Sequence, residues 1–161
     1  MKTIYFIRHA KAKKIADSDF IRELNNKGKE AAKLMSKRLK NRNITPDIII
    51  SSPANRTAKT AKIFAKNLKF NKDIKFEKSL YEASIKEYLD IIKQIDSTVD
   101  TVFIVGHNDI LTQICELLSD SHIGNIPTAG VFGIEFDVME FKEIEARTGK
   151  VLFFDYPKKL E

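Results

Sequence analysis

Four side chains in this sequence have the types and the placing to handle an anion. Arg8 and His9 stand in Ile7-Arg8-His9-Ala10, Arg56 in Ser51-Ser52-Pro53-Ala54-Asn55-Arg56-Thr57-Ala58, and His107 in Gly106-His107-Asn108. Each group closes an apolar run: Thr3-Ile4-Tyr5-Phe6-Ile7, Asp47-Ile48-Ile49-Ile50 and Thr101-Val102-Phe103-Ile104-Val105. Short runs rich in β-branched and aromatic residues read as buried strands. In an open α/β sheet, ligands bind just past the carboxyl ends of the strands. If the three strands are parallel neighbours, two guanidiniums and two imidazoles converge at one sheet edge. Guanidiniums make bidentate contacts to phosphate, and an imidazole can attack a phosphoryl group or donate to it.

The elements that must position these groups alternate along the chain. A helix is expected from about Gly28 to Arg42, with Ala31, Leu34, Met35 and Leu39 at core spacing and Asn25 or Asn26 as its cap. Pro46 interrupts the chain before the second strand. A second helix is expected to start at Pro53, a good first-turn residue, with Ala58, Ala61, Phe64, Ala65 and Leu68 on one face. Ile74-Lys75-Phe76 reads as a short strand, Ile85 to Ile95 and Ile110 to Leu118 as two further helices. The last third changes character: Val131 to Val138 and Val151 to Phe154 read as strands, the second after the turn signal Thr148-Gly149-Lys150. They suit an antiparallel edge on a mainly parallel sheet. The expected fold is therefore α/β, a three-layer α/β/α sandwich with a mostly parallel central sheet, helices on both faces and an antiparallel C-terminal edge. The 161 residues, 43% of them hydrophobic and 31% charged, are expected to form one domain spanning 1–161.

The net charge is +6. Lys27, Lys29, Lys33, Lys37 and Lys40 are scattered as on a solvated helix face, not gathered as a binding stripe, and no nucleic-acid-binding motif is present. Nucleic acid is not expected as a partner. Lys11-Ala12-Lys13-Lys14, directly after His9, has two readings: it raises the local potential for an anionic substrate, or it is a solvated basic loop. No segment reaches the length of a membrane span or of a signal peptide core, so no membrane partner is expected. The lone Cys115 suits a reducing cytoplasm and reads as a small buried hydrophobe on a helix. The three histidines and one cysteine offer no ligand-spaced pair, and no glycine-rich nucleotide loop is present. Neither metal nor cofactor is expected. His122 reads as a surface histidine. The chain closes on Leu160-Glu161.

"RHA" near the N-terminus, "SSPANRTAKTA" and "VGHND" resemble the histidine phosphatase superfamily, which includes the phosphoglycerate mutases and acid phosphatases. With the small size and the elements "RELNNKG", "LYEAS" and "PTAG", the chain looks most like the SixA-type phosphohistidine phosphatases, from Lys2 to about Phe154. The resemblance implies that His9 is the nucleophile and is transiently phosphorylated, one ring nitrogen free and the other held by a hydrogen bond. It implies that Arg8 and Arg56 bind phosphate oxygens. His107 would donate to the same phosphate, with a general-base role as the alternative. Gly106 would let the backbone turn tightly before it. Arg22 matches an Arg that adds a phosphate contact, or is a surface residue before a helix; Asn25 stands where that family often has Thr. Glu82, in Leu80-Tyr81-Glu82, resembles the superfamily's general acid, or is a polar residue at a helix start. The mutases follow that Glu with a Gly- and Glu-bearing stretch, and here the chain has Ala83-Ser84-Ile85. Thr128, in Pro127-Thr128-Ala129-Gly130, would contact the backbone beside His107 or simply make a turn. Asn108 would orient the His107 loop toward substrate or cap the following helix.

The expected activity is hydrolysis of phosphohistidine on a protein substrate through a phosphohistidine intermediate on His9. The alternatives are a small-molecule phosphomonoesterase and, in a different class, a non-catalytic phosphoprotein-binding module. About a dozen residues separate His9 from Arg22, and Glu82 leads straight into a helix. Superfamily members selective for metabolites often build caps at those places. The expected partners are a phosphorylated protein carrying a phosphohistidine domain, or a small phosphate ester. The chain is expected to be a monomer or a weak oligomer.

Overall fold

The three apolar runs that end in Arg, Ser and His do become neighbouring parallel strands. A computed structural model of the chain describes residues 1–159; Leu160-Glu161 lie outside the described residues. The elements follow as β1 (Lys2–Arg8), α1 (Asn26–Asn41), β2 (Ile48–Ser51), α2 (Asn55–Asn67), β3 (Lys75–Phe76), α3 (Ile85–Lys93), β4 (Thr101–Gly106), α4 (Ile110–Ser119), β5 (Val131–Phe136) and β6 (Lys150–Asp155). They form a six-stranded sheet in the order β3-β2-β4-β1-β5-β6. β1, β4, β2 and β3 run parallel, while β5 and β6 add the antiparallel edge.

Alternation along β1 assembles two cores. Ile4 and Phe6 enter one face with Val102 and Ile104 of β4, Tyr88 and Ile92 of α3, and Ile114, Cys115 and Leu118 of α4. Tyr5 and Ile7 enter the other with Phe103 and Val105, Met35 and Leu39 of α1, and Ala61 and Phe64 of α2. Strands covered by helices on both faces must be apolar on both, which is why β1 and β4 read as unbroken apolar runs. The connection after β1 therefore leaves toward one face and that after β4 toward the other. Adjacent parallel strands whose connections diverge in this way open a crevice at their carboxyl ends.

Several local features depart from the sequence expectations. Helix α2 begins at Asn55, with Ala54 as its cap, because Ser52 and Pro53 are used to carry the chain off β2. The buried stripe of α1 is Gly28, Ala32, Met35, Ser36 and Leu39; Leu34 is 42% exposed. The stripe is turned because Gly28 sits against the Lys11 backbone, where a Cβ would lie 2.0 Å from the Lys11 carbonyl oxygen. Asn25 caps α1, its side chain accepting from Gly28 N. β5 stops at Phe136 rather than Val138, and a single 3-10 turn, Phe141–Glu143, lies in the link to β6.

Candidate active site

The strand ends are level. Arg8 pairs with Gly106, and Ser51 with Val105. His9 N donates to Gly106 O at 3.2 Å, and Ser52 N to Val105 O at 3.0 Å. These bonds carry the ladder one residue past each strand and set His9, Ser52 and His107 side by side at the β1–β4 crevice. The His9 and His107 rings lie 5.5 Å apart, centroid to centroid. His9, Arg56 and His107 are 8%, 6% and 7% exposed. Gly106 is needed for space rather than for a turn: its φ is ordinary, and a Cβ there would lie 2.2 Å from the buried Tyr88 hydroxyl.

Each imidazole is held from one side. His9 Nδ1 lies 2.7 Å from Ala10 O. A carbonyl can only accept, so Nδ1 carries the proton and Nε2 keeps its lone pair. Ala10 is fixed in turn by Thr60 of α2, whose Oγ1 accepts from Ala10 N at 3.0 Å and donates to Arg56 O at 2.7 Å. His107 Nε2 lies 2.8 Å from Ser52 Oγ. Burial lowers both histidines from 6.5, His9 to about 4 and His107 to about 3. Arg56 adds to the effect on both, while the Ala10 carbonyl opposes it at His9. Both rings are therefore neutral at pH 7.

The arginines approach from two sides. Arg8 donates from Nη1 to Ile126 O at 2.9 Å. Arg56, in the first turn of α2, donates from Nη1 to the Asp19 carbonyl at 2.8 Å and from Nη2 to Asp19 Oδ2 at 3.0 Å. Arg8 Nε, Arg56 Nε and His107 Nδ1 are buried without a partner in the protein. An orphaned buried polar group costs about 1–3 kcal/mol. All three belong to residues at the carboxyl edge of the sheet, where buried polar groups left without a partner call for an explanation.

The remaining expected residues are placed differently. Arg22 joins the rim: its Nε donates to Asp19 Oδ1 at 3.0 Å and its Nη1 to Lys13 O at 3.2 Å. Asn108 is used up within the protein. Its Oδ1 accepts from Thr112 Oγ1 at 2.9 Å, and its Nδ2 donates to Asn125 Oδ1 at 2.7 Å and Ile126 O at 3.0 Å. It ties the start of α4 to the loop that holds Arg8. Thr128 is half-buried, and its turn contacts the chain beside His9 instead of His107: Ala129 N, at φ 61°, donates to His9 O at 3.0 Å. Glu82 is exposed and makes no hydrogen bond or ion pair among the described residues. Lys11, Lys13 and Lys14 are exposed, with Lys13 3.5 Å from Glu23.

Asp19, Ser52, Thr60 and Tyr81 belong to the site without having been singled out by sequence. Asp19 Oδ2 accepts from Tyr81 OH at 2.7 Å as well as from Arg56. The Tyr81 hydrogen bond, then Arg56 and Arg22, hold its carboxyl down to about 2. The Tyr81 ring meets His107 edge-on at 5.6 Å and Phe20 at 5.0 Å. Thr60 had a readable signal, since i and i+4 share a helix face with Arg56. Asp19 and Tyr81 had none, being 62 residues apart.

The family model for the histidine phosphatase superfamily (branch 1) matches residues 4–98. The chain belongs to the histidine phosphatase superfamily. Similar solved structures include the protein histidine phosphatase SixA complexed with tungstate, at TM-score 0.84 and 17% identity over 96% of this chain and 97% of that one. A SixA protein of Agrobacterium tumefaciens, assigned as a phosphohistidine phosphatase, aligns at TM-score 0.83 and 26% identity over 97% and 98% of the two chains. The phosphoserine phosphatase of Entamoeba histolytica aligns at TM-score 0.70 and 16% identity over 98% of each. No curated protein matches the sequence. By TM-score the fold lies nearer these two SixA proteins than the Entamoeba enzyme. The family match ends before His107, so the second imidazole is placed by the structure.

Proposed function

We propose that this protein is a phosphatase that hydrolyses phosphohistidine on a protein substrate, with His9 as the transiently phosphorylated nucleophile. The observation that carries the reading is the set of buried polar atoms without a partner in the protein, Arg8 Nε, Arg56 Nε and His107 Nδ1, in the same site as a neutral His9 whose Nε2 keeps its lone pair. Nε2 attacks phosphorus, and the bond from phosphorus to the leaving nitrogen breaks. The departing imidazole takes up a proton from solvent water. Water then cleaves the bond between phosphorus and His9 Nε2, releasing inorganic phosphate and restoring the free ring. Arg8 and Arg56 hold the equatorial oxygens, where transition-state charge accumulates. When the Ser52 hydroxyl donates to His107 Nε2, the ring proton sits on Nδ1 and is free to donate to the same phosphoryl group. In that tautomer the Nε2 lone pair is taken up by the Ser52 hydroxyl, which leaves none for a role as base.

Three features favour phosphohistidine. The likeness to SixA proteins spans nearly the whole of both chains. The chain from Ala10 to Ile21 is short and adds no cap, its ends closed by the Ala12–Leu24 bridge. Glu82 is not held against the cradle, and imidazole is a leaving group that asks little of an acid. The free, buried Cys115 supports a cytoplasmic setting. Likeness to the phosphoserine phosphatase keeps a small phosphate ester as the second reading. The deciding experiment compares kcat/KM for a phosphohistidine peptide, p-nitrophenyl phosphate and a panel of sugar phosphates in wild type and Glu82→Gln. The expected result is preference for the peptide and only mild loss in the variant. High activity on a sugar phosphate that Glu82→Gln abolishes would move the assignment to a metabolite phosphatase with Glu82 as its acid.

A further inference from the structure

The carboxylate of Asp19 is the least expected group in an anion receptor. It is 54% exposed and stands on the loop between β1 and α1. It is gripped from three elements: by Arg22 on the same loop, by Arg56 of α2, and by Tyr81 after β3. Both terminal nitrogens of Arg56 face it, one through its carboxylate and one through its carbonyl. Asn55 locks the neighbouring backbone, donating from its side chain to Ile21 O at 2.8 Å and from its backbone to Phe20 O at 3.0 Å. The arginines are thereby divided. The Nε groups of Arg8 and Arg56 are buried without a partner in the protein, whereas Nε of Arg22 and both terminal nitrogens of Arg56 already hold Asp19.

We propose that Asp19 is a specificity-determining residue, an internal carboxylate that occupies the outer cations of the cradle and selects against phosphate compounds bearing a second anionic group near the phosphoryl. The proposal rests on the reading of the crevice as a phosphoryl site and narrows its substrate class. A phosphorylated hydroxy acid brings its own carboxylate to the rim. There it meets a fixed negative charge instead of free guanidinium donors, and like charges that close repel. A phosphorylated imidazole brings no second anion and loses nothing. Because the pair is partly exposed, the discrimination weakens as salt rises.

The test uses two ligands that differ in a single group, 3-phosphoglycerate and glycerol 3-phosphate, as competitive inhibitors of p-nitrophenyl phosphate hydrolysis. In Asp19→Asn the ratio of the two inhibition constants is expected to shift about tenfold or more toward 3-phosphoglycerate. In Asp19→Glu, which keeps the charge, it should stay within about threefold of wild type. An unchanged ratio in Asp19→Asn, with both ligands weakened together, would mean that Asp19 merely positions Arg56, and the proposal would be wrong. Should a variant turn over too slowly, calorimetric titration of the same two ligands supplies the ratio. Neither measurement involves phosphohistidine. A wild type inactive on phosphohistidine whose ratio still moves overturns the substrate assignment and leaves Asp19 as the rim determinant.

Discussion

At His9 a single hydrogen bond decides which ring nitrogen keeps its lone pair. Its Nδ1–H is committed to Ala10 O, so the only reactive atom left is Nε2. Acid-labile, alkali-stable phosphate trapped during turnover is accordingly expected on His9, and His9→Ala should fold normally yet lose turnover. Label on another residue, or near-normal activity in the variant, would sink the mechanism. Arg56 makes a second case. Its fork meets an acceptor at each terminal nitrogen while Nε is buried without a partner in the protein. An ammonium cannot reproduce a planar five-donor geometry. Arg56→Lys is expected to lose on the order of 10²-fold in kcat/KM, close to Arg56→Ala. Full rescue by Lys would reduce Arg56 to a point charge.

At the scale of elements, the end of β4 depends on what α3 brings against it. Tyr88 is wholly buried, and its hydroxyl has no partner in the protein. That hydroxyl fills the space over Gly106. An unsatisfied buried hydroxyl is a cost without return, so Tyr88→Phe is expected to leave stability unchanged or raise it by about 1 kcal/mol. Gly106→Ala should cost about 1–3 kcal/mol through overpacking, and adding Tyr88→Phe should recover part of that loss. Urea denaturation of the two single variants and the double variant checks the coupling. Strict additivity would show that the two groups do not press on each other.

For the whole molecule, the buried histidines link stability to pH. The unfolded chain takes up protons near 6.5, whereas folded His9 and His107 do so only near 4 and 3. Between those values the unfolded state binds more protons, so stability rises with pH there. The contribution is complete above 6.5 and is lost as pH falls toward 4 for His9 and toward 3 for His107. Thermal denaturation should show a decline over this window that is reduced in His9→Asn and His107→Asn. Ring-proton NMR of the folded protein should show both rings still neutral at pH 5.5. A ring titrating near 6.5 would contradict the burial argument.

The chain announces its fold through local chemistry. Apolar runs long enough to be strands but too short to be helices, alternating with 3.6-period segments, leave little but a layered α/β sheet. The placement of Arg8, His9, Arg56 and His107 just past those runs sets their convergence once the strands lie parallel. These signals are legible because each depends on neighbours a few residues away. The turned core stripe of α1 is not legible, since it follows from a backbone contact between Gly28 and Lys11. Nor are the identity of the His9 nitrogen that is held, the Ser52–His107 pair, or the exposure of Glu82. Asp19 is the plainest case. In sequence it is one acid in a polar loop, and it becomes the partner of Arg22, Arg56 and Tyr81 only when three elements meet. Contacts between segments far apart along the chain leave no periodic trace in it, and those contacts set the site's charge.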